Sequence, residues 1–163
     1  MFRIVLLSFV VPAVWSQTQI EHGESLFFNA EKGCGSCHAL KGKGTAVGPD
    51  LSGIGRLSPA AIAMAARSTV TQYVDVIKVK GGDSFPGFTA AKTADKLTIF
   101  DLSKTPPEKK EFAPADVTRS GNDKWKHPPA AVKIESQDFA DIIAYIRFAS
   151  SGARKTVEPS EVQ

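Results

Sequence analysis

The chain is 163 residues long, 42% hydrophobic and 23% charged, with a formal net charge of +3. That size suits one globular domain and leaves little room for a second core. The charge is mild and no lysine or arginine block is interleaved with aromatics, which speaks against nucleic acid as a partner.

In chain order, Met1-Phe2-Arg3 is followed by the short apolar run Ile4 to Val14 and then Trp15-Ser16-Gln17. One basic residue, a run too short for a comfortable span and small residues after it predict a secretory signal over 1–16, with the mature domain over 17–163. An uncleaved membrane anchor is the competing reading; no later stretch suits a bilayer span. Glu21 to Ala30 reads as a first helix, with Gly23 and Phe27 four apart on one face. Ser58-Pro59 starts another over Ala60 to Ser68, a serine cap with proline in the first turn. From 72 to 121 the pattern turns strand-like: Tyr73 to Lys80 is rich in β-branched residues and Lys96 to Leu102 alternates, which predicts a small antiparallel insertion. Phe85 and Phe88 lie between these runs and read as core filling for that sheet, the other use being cover for a cofactor edge. Lys104 to Lys110 reads as a solvated loop. Gln137 to Ala149 places Phe139, Ile142, Ile143 and Ile146 at helical spacing, with Ser136 and Asp138 as start signals.

The chemistry is concentrated in Cys34-Gly35-Ser36-Cys37-His38, a C-x-x-C-H run. Two thiols separated by two residues reach one edge of a porphyrin and add across its vinyl groups as thioethers. The next residue, His38, reaches the iron, and small Gly35 and Ser36 let the backbone lie against the ring edge. A zinc site competes, but the other histidines are His22 and His127 and there is no third cysteine. A thioredoxin-like pair competes, but a helix precedes the motif and glycine-rich chain follows it. A plain disulfide explains neither the histidine nor the export signal.

Gly23-Glu24-Ser25-Leu26-Phe27, Gly48-Pro49-Asp50-Leu51 and Phe139 to Ile146 resemble the class I cytochrome c family. The run Gly48 to Arg56 and the strand-rich insertion are similar to bacterial haem-binding c-type domains attached to dehydrogenases and other exported proteins. The resemblance implies a mainly α cytochrome c fold, with N- and C-terminal helices crossing at Gly23 against Ile142 and Tyr145, haem between them, and a small antiparallel β insertion. It implies one covalent haem c with His38 as proximal ligand, and a Pro49 carbonyl accepting a hydrogen bond from the other ring nitrogen of His38. The family's distal methionine is missing: the methionines are Met1 and Met64, and His127-Pro128-Pro129 stands where its methionine-proline pair would fall. His127 is therefore the expected sixth ligand, with Met64 or an open position as alternatives. Arg56 and Trp125 are donor candidates for the haem propionates, against an ordinary surface arginine and a packed tryptophan. Leu51, Ile54 and Leu57 are expected to line the pocket. His22 lies too near the motif to reach the far face and is expected to be exposed.

No glycine-rich phosphate loop, nucleophile elbow or paired catalytic carboxylates stand out. The expected function is therefore not enzymatic: a periplasmic or otherwise exported one-electron carrier, with a dehydrogenase or another cytochrome as redox partner. The alternatives are a haem sensor or peroxidase-like domain with a displaceable distal ligand, and a haem-free zinc or disulfide module.

Overall fold

The structure is a computed structural model that describes residues 17–30, 33–68, 73–121, 125–127 and 133–163. The expected signal over 1–16 and the prolines at 128 and 129 lie outside those residues.

Helix α1 runs Gln19–Phe27. It starts earlier than periodicity suggests, because Thr18 caps it: Glu21 N donates to the Thr18 hydroxyl at 3.3 Å, and Thr18 N donates to the Glu21 carboxylate at 2.9 Å. Helix α2 runs Pro59–Ser68, with Ala61 N donating to Ser58 Oγ at 3.2 Å. The last helix, α3, runs Ser136–Ser151 and stops at Gly152, whose φ of 76° is the left-handed conformation that ends helices. Its N-cap is Glu135, not Ser136, and no side chain caps it.

α1 and α3 cross at Gly23. A Cβ there would land on the main-chain carbonyl of Asp141 and 3.0 Å from Tyr145 Cβ, so only hydrogen fits. Asp141, where Ile142 had been expected, is the residue at the closest approach. Around it Phe27, Leu40, Ile142, Tyr145 and Ile146 form one buried cluster. Burying side chains of this size stabilises by about 1.5–3 kcal/mol each. Asp141 also ties the helices through polar bonds, from Gln19 at 2.8 Å, Gln137 at 2.8 Å and His22 at 2.7 Å. His22 is thus half-buried and hydrogen-bonded, not the exposed residue expected. On the other side of α3, Ile62 and Ala63 of α2 pack with Phe139, Ala140, Ile143 and Ala144 and with Val157 and Val162 from the C-terminal tail.

The segment after α2 overturns the expectation of a mainly α fold. It forms a five-stranded antiparallel sheet in the order β6-β5-β4-β3-β7, from β3 (Asp75–Val79), β4 (Ser84–Lys92), β5 (Leu97–Asp101), β6 (Glu108–Phe112) and β7 (Val117–Gly121). With a second, two-stranded sheet of β1 (Ala39–Leu40) and β2 (Lys43–Gly44), 38% of the described residues are helical and 25% are in strands. The chain is therefore mixed α and β. The sheet is no small excursion, because it has its own hydrophobic cluster of Ile77, Phe85, Leu97 and Ile99. Phe85 fills that core as expected. β4 was hidden by Pro86 and Gly87, which interrupt a strand pattern, and β6 by its charge. Gly87 is small because Ile77 and Ile99 crowd the space a Cβ would take.

Candidate functional site

Cys34–Ser36 forms a single 3-10 turn. The carbonyl of Cys34 accepts from both Cys37 N at 3.1 Å and His38 N at 2.8 Å. This winding brings Cys34, Cys37 and His38 out of one tight bend. Gly35 is required to be small: a Cβ there would meet the Phe28 ring at 2.8 Å. Ser36 Oγ donates to the Gly33 carbonyl at 2.8 Å and closes the bend.

The β1–β2 hairpin then reverses the chain through Lys41 and Gly42, whose φ angles are 51° and 77°. It returns to the motif, where Val47 N and Gly48 N donate to the Cys37 carbonyl at 3.0 and 2.7 Å. That return lays the backbone of Gly48 against the imidazole of His38, so that a Cβ would meet ring atoms Cε1 at 2.5 Å and Nδ1 at 2.8 Å. One residue later, the Pro49 carbonyl accepts a hydrogen bond from His38 Nδ1 at 2.7 Å. A carbonyl can only accept, so Nδ1 carries the proton and Nε2 keeps its lone pair for a metal. Asp50 caps the next turn, Leu51–Arg56, by accepting from Ser52 N at 2.6 Å. Ser52 Oγ in turn accepts from Lys41 N at 2.7 Å, which locks Pro49 to the hairpin.

The electrostatics favour uncharged forms. Burial pushes His38 below the usual histidine value, against the opposing effect of the Pro49 bond. Burial also drives the Cys34 thiol up to about 11 and raises Cys37 despite its contact with Ser36. Neither cysteine is in a disulfide. Surroundings that disfavour thiolates suit thioether sulfurs, which carry no charge, and are poor for a zinc-thiolate centre.

Across from His38 stands His127. The two ring centres are 6.0 Å apart with planes inclined by 30°. A metal bond of about 2 Å on each side, with a little over 1 Å from each bonding nitrogen to its ring centre, places two axial imidazoles about 6 Å apart. The 6.0 Å separation is of the size that one iron held between the two rings would require, so His38 and His127 are the residues that could hold it. Burial, then the neighbouring His38, push His127 below the ordinary histidine value. Its Nδ1 is buried and has no hydrogen-bond partner among the described residues. Trp125 lies tilted beside it, ring centres 6.1 Å apart and inclined by 47°.

The structure thus brings together Cys34, Cys37, His38, Pro49, Trp125 and His127. Arg56 sits exposed at the end of its 3-10 turn, and no hydrogen bond or ion pair ties it to that group among the described residues. Leu51 and Ile54 pack onto the helix core, while Leu57 is 46% exposed. Met64 lies on α2 and is 65% exposed. Gly48 is the site residue whose role sequence reasoning missed. Its signal was present: a glycine beside the proline whose carbonyl must approach the ring.

Residues 20–98 match the family model described as Cytochrome c. The match takes in the C-x-x-C-H turn, Gly48 and Pro49, and ends before Trp125, His127 and α3. No curated protein matches the chain.

Proposed function

We propose that this chain, whose residues 20–98 are a cytochrome c domain, is an exported carrier of single electrons with His38 and His127 as the two axial ligands of its haem. Such a domain implies one covalent haem c with iron, and Cys34 and Cys37 are the residues that would hold it. Bound there, the haem supplies a one-electron ferric/ferrous couple.

The observation that carries the reading is the 6.0 Å separation of the two imidazole centres, one fixed by the attachment turn and the other brought in from beyond the sheet. His38 is kept in the tautomer that ligates by its bond to Pro49. Burial lowers both rings below the ordinary histidine value, which favours the neutral form that has a lone pair to give. Were His38 and His127 both to hold the iron, an electron could come and go without a bond being made or broken. Helix packing around Phe27, Leu40 and Ile146 supplies the apolar surroundings that tune a potential. A second imidazole in place of a thioether sulfur would set that potential below that of a His/Met centre. A dehydrogenase or another cytochrome is the partner chemistry that such a carrier needs. No helix among the described residues is long and apolar enough to cross a membrane.

Absorption spectra of the purified haem-loaded protein, oxidised and reduced, test this. The expected result is a six-coordinate low-spin centre in both states that becomes high-spin in His127→Ala. An unchanged spectrum in that variant overturns the role of His127.

A further inference from the structure

We propose that Tyr145 and Glu24 form a second redox site, in which the phenol gives one electron to a strong one-electron oxidant at the attachment turn while its proton passes to the carboxylate. This needs nothing of the ligation proposed for His127.

Tyr145 is 5% exposed and lies in the buried cluster of Phe27, Leu40, Ile142 and Ile146. A phenol that loses an electron becomes a strong acid, and it must shed its proton or leave a cation in these apolar surroundings, where an unpaired charge is costly. Water has little access to a ring so deeply placed, so the base has to come from the protein. The Tyr145 hydroxyl donates to Glu24 Oε1 at 3.2 Å. A carboxylate is ionised at neutral pH and can only accept, which makes Glu24 that base. Its side chain is 46% exposed, and Lys43 Nζ lies 3.8 Å from the same oxygen, so an accepted proton has a way on to water.

The electron has a route as well. The ring of Tyr145 stands 5.7 Å from that of Phe27 and 6.0 Å from that of Phe28, and these two are 4.9 Å apart. Phe28 in turn lies against the backbone between the two attachment cysteines, since a Cβ on Gly35 would come within 2.8 Å of its Cδ1. Cys34 packs onto the same cluster. Packed rings therefore fill the whole path from the phenol to the attachment turn, and tunnelling decays less steeply through packed atoms than across a gap.

The step balances with one bond broken. The O–H bond of Tyr145 is lost, the electron reduces the oxidant, the proton goes to Glu24, and a neutral tyrosyl remains. A one-electron reductant reverses it, with the proton returning from Glu24. Tyr73, the other tyrosine, is 63% exposed and has neither ring neighbours nor a carboxylate partner among the described residues.

The test is flash photolysis of the haem-loaded protein with ruthenium tris-bipyridine and a sacrificial electron acceptor, which creates a ruthenium(III) oxidant, followed by freeze-trapping and electron paramagnetic resonance. Tyr73→Phe serves as the parent, because it leaves Tyr145 as the sole tyrosine. The parent should give a neutral tyrosyl signal, and Tyr145→Phe in the same background should lose it. Glu24→Gln keeps the rings packed but removes the base, and should slow tyrosyl formation about 100-fold, the lower end of what a positioned proton acceptor contributes. Phe28→Leu should slow it too. A parent without a tyrosyl signal, or with a radical on Trp125 alone, overturns the proposal. An unchanged rate in Glu24→Gln refutes the carboxylate's part, and an unchanged rate in Phe28→Leu refutes the route to the attachment turn.

Discussion

The imidazole of His38 is fixed by a residue eleven positions further along the chain: its Nδ1 donates to the main-chain carbonyl of Pro49 at 2.7 Å. Gly48 makes that approach possible by presenting no side chain to the ring. Gly48→Ala should therefore push the ring off its acceptor and weaken the proximal bond roughly 10–100-fold. The haem-loaded fraction and the low-spin signal should both fall. Gly53→Ala is the control, since nothing lies within 4 Å of a Cβ there. If both variants load alike, the Gly48 platform has no role.

The helix crossing offers a second test. At Gly23 the obstacle to a methyl group is a carbonyl of α3, which cannot rotate away as a side chain could. Gly23→Ala should force the helices apart and cost about 3 kcal/mol, the upper part of the range for overpacking. A urea melt that shifts no more than that of Gly53→Ala would show that the helices do not meet there.

In the sheet, Asp101 is 2% exposed and accepts from Lys110 at 2.7 Å, Ser103 Oγ at 2.6 Å and Ser103 N at 2.9 Å. Burial opposes its charge, but the Lys110 and Ser103 hydrogen bonds prevail and hold the carboxyl below its ordinary value. A folded value below the unfolded one stabilises the sheet above about pH 4, and that contribution is lost as pH falls further. Asp101→Asn should lower stability at neutral pH by about 1–3 kcal/mol and flatten the acid limb of the melting curve. An acid limb that keeps its slope in the variant assigns the effect elsewhere.

Tyr145 points the opposite way. Burial first, then the charge of Glu24 and the 3.2 Å bond to it, push the phenol up to about 12. A folded value above the unfolded one gives stability that is complete below about pH 10 and is lost as pH rises through the folded value. The ring resonances of Tyr145 in the reduced protein should titrate near 12, and lower in Glu24→Gln. Titration at the ordinary phenol value would contradict the packing of α1 on α3.

The attachment turn was legible in the sequence because its chemistry is local: two thiols and an imidazole within five residues admit few readings. The helices were legible through spacing, though the first boundary was missed where Thr18 and Glu21 spell a capping box outside the apolar stripe. The sheet was half visible. Tyr73 to Lys80 and Lys96 to Leu102 announce β3 and β5, but β7 reads Val-Thr-Arg-Ser-Gly and β6 Glu-Lys-Lys-Glu-Phe, edge strands whose polarity suits their exposed position and conceals them from a hydrophobic pattern. The platform under His38 was legible only in part: the resemblance implied the Pro49 carbonyl, but not the approach of the Gly48 backbone to the ring. It is made by backbone atoms, and a sequence lists side chains.

The most direct test of the account is the intact mass of protein matured alongside a haem-attachment system, measured after extraction in acidified organic solvent. The expected mass is that of the polypeptide plus one haem that resists extraction, with the bare polypeptide in the Cys34→Ala, Cys37→Ala double variant. A wild-type chain that emerges at its bare polypeptide mass would contradict it.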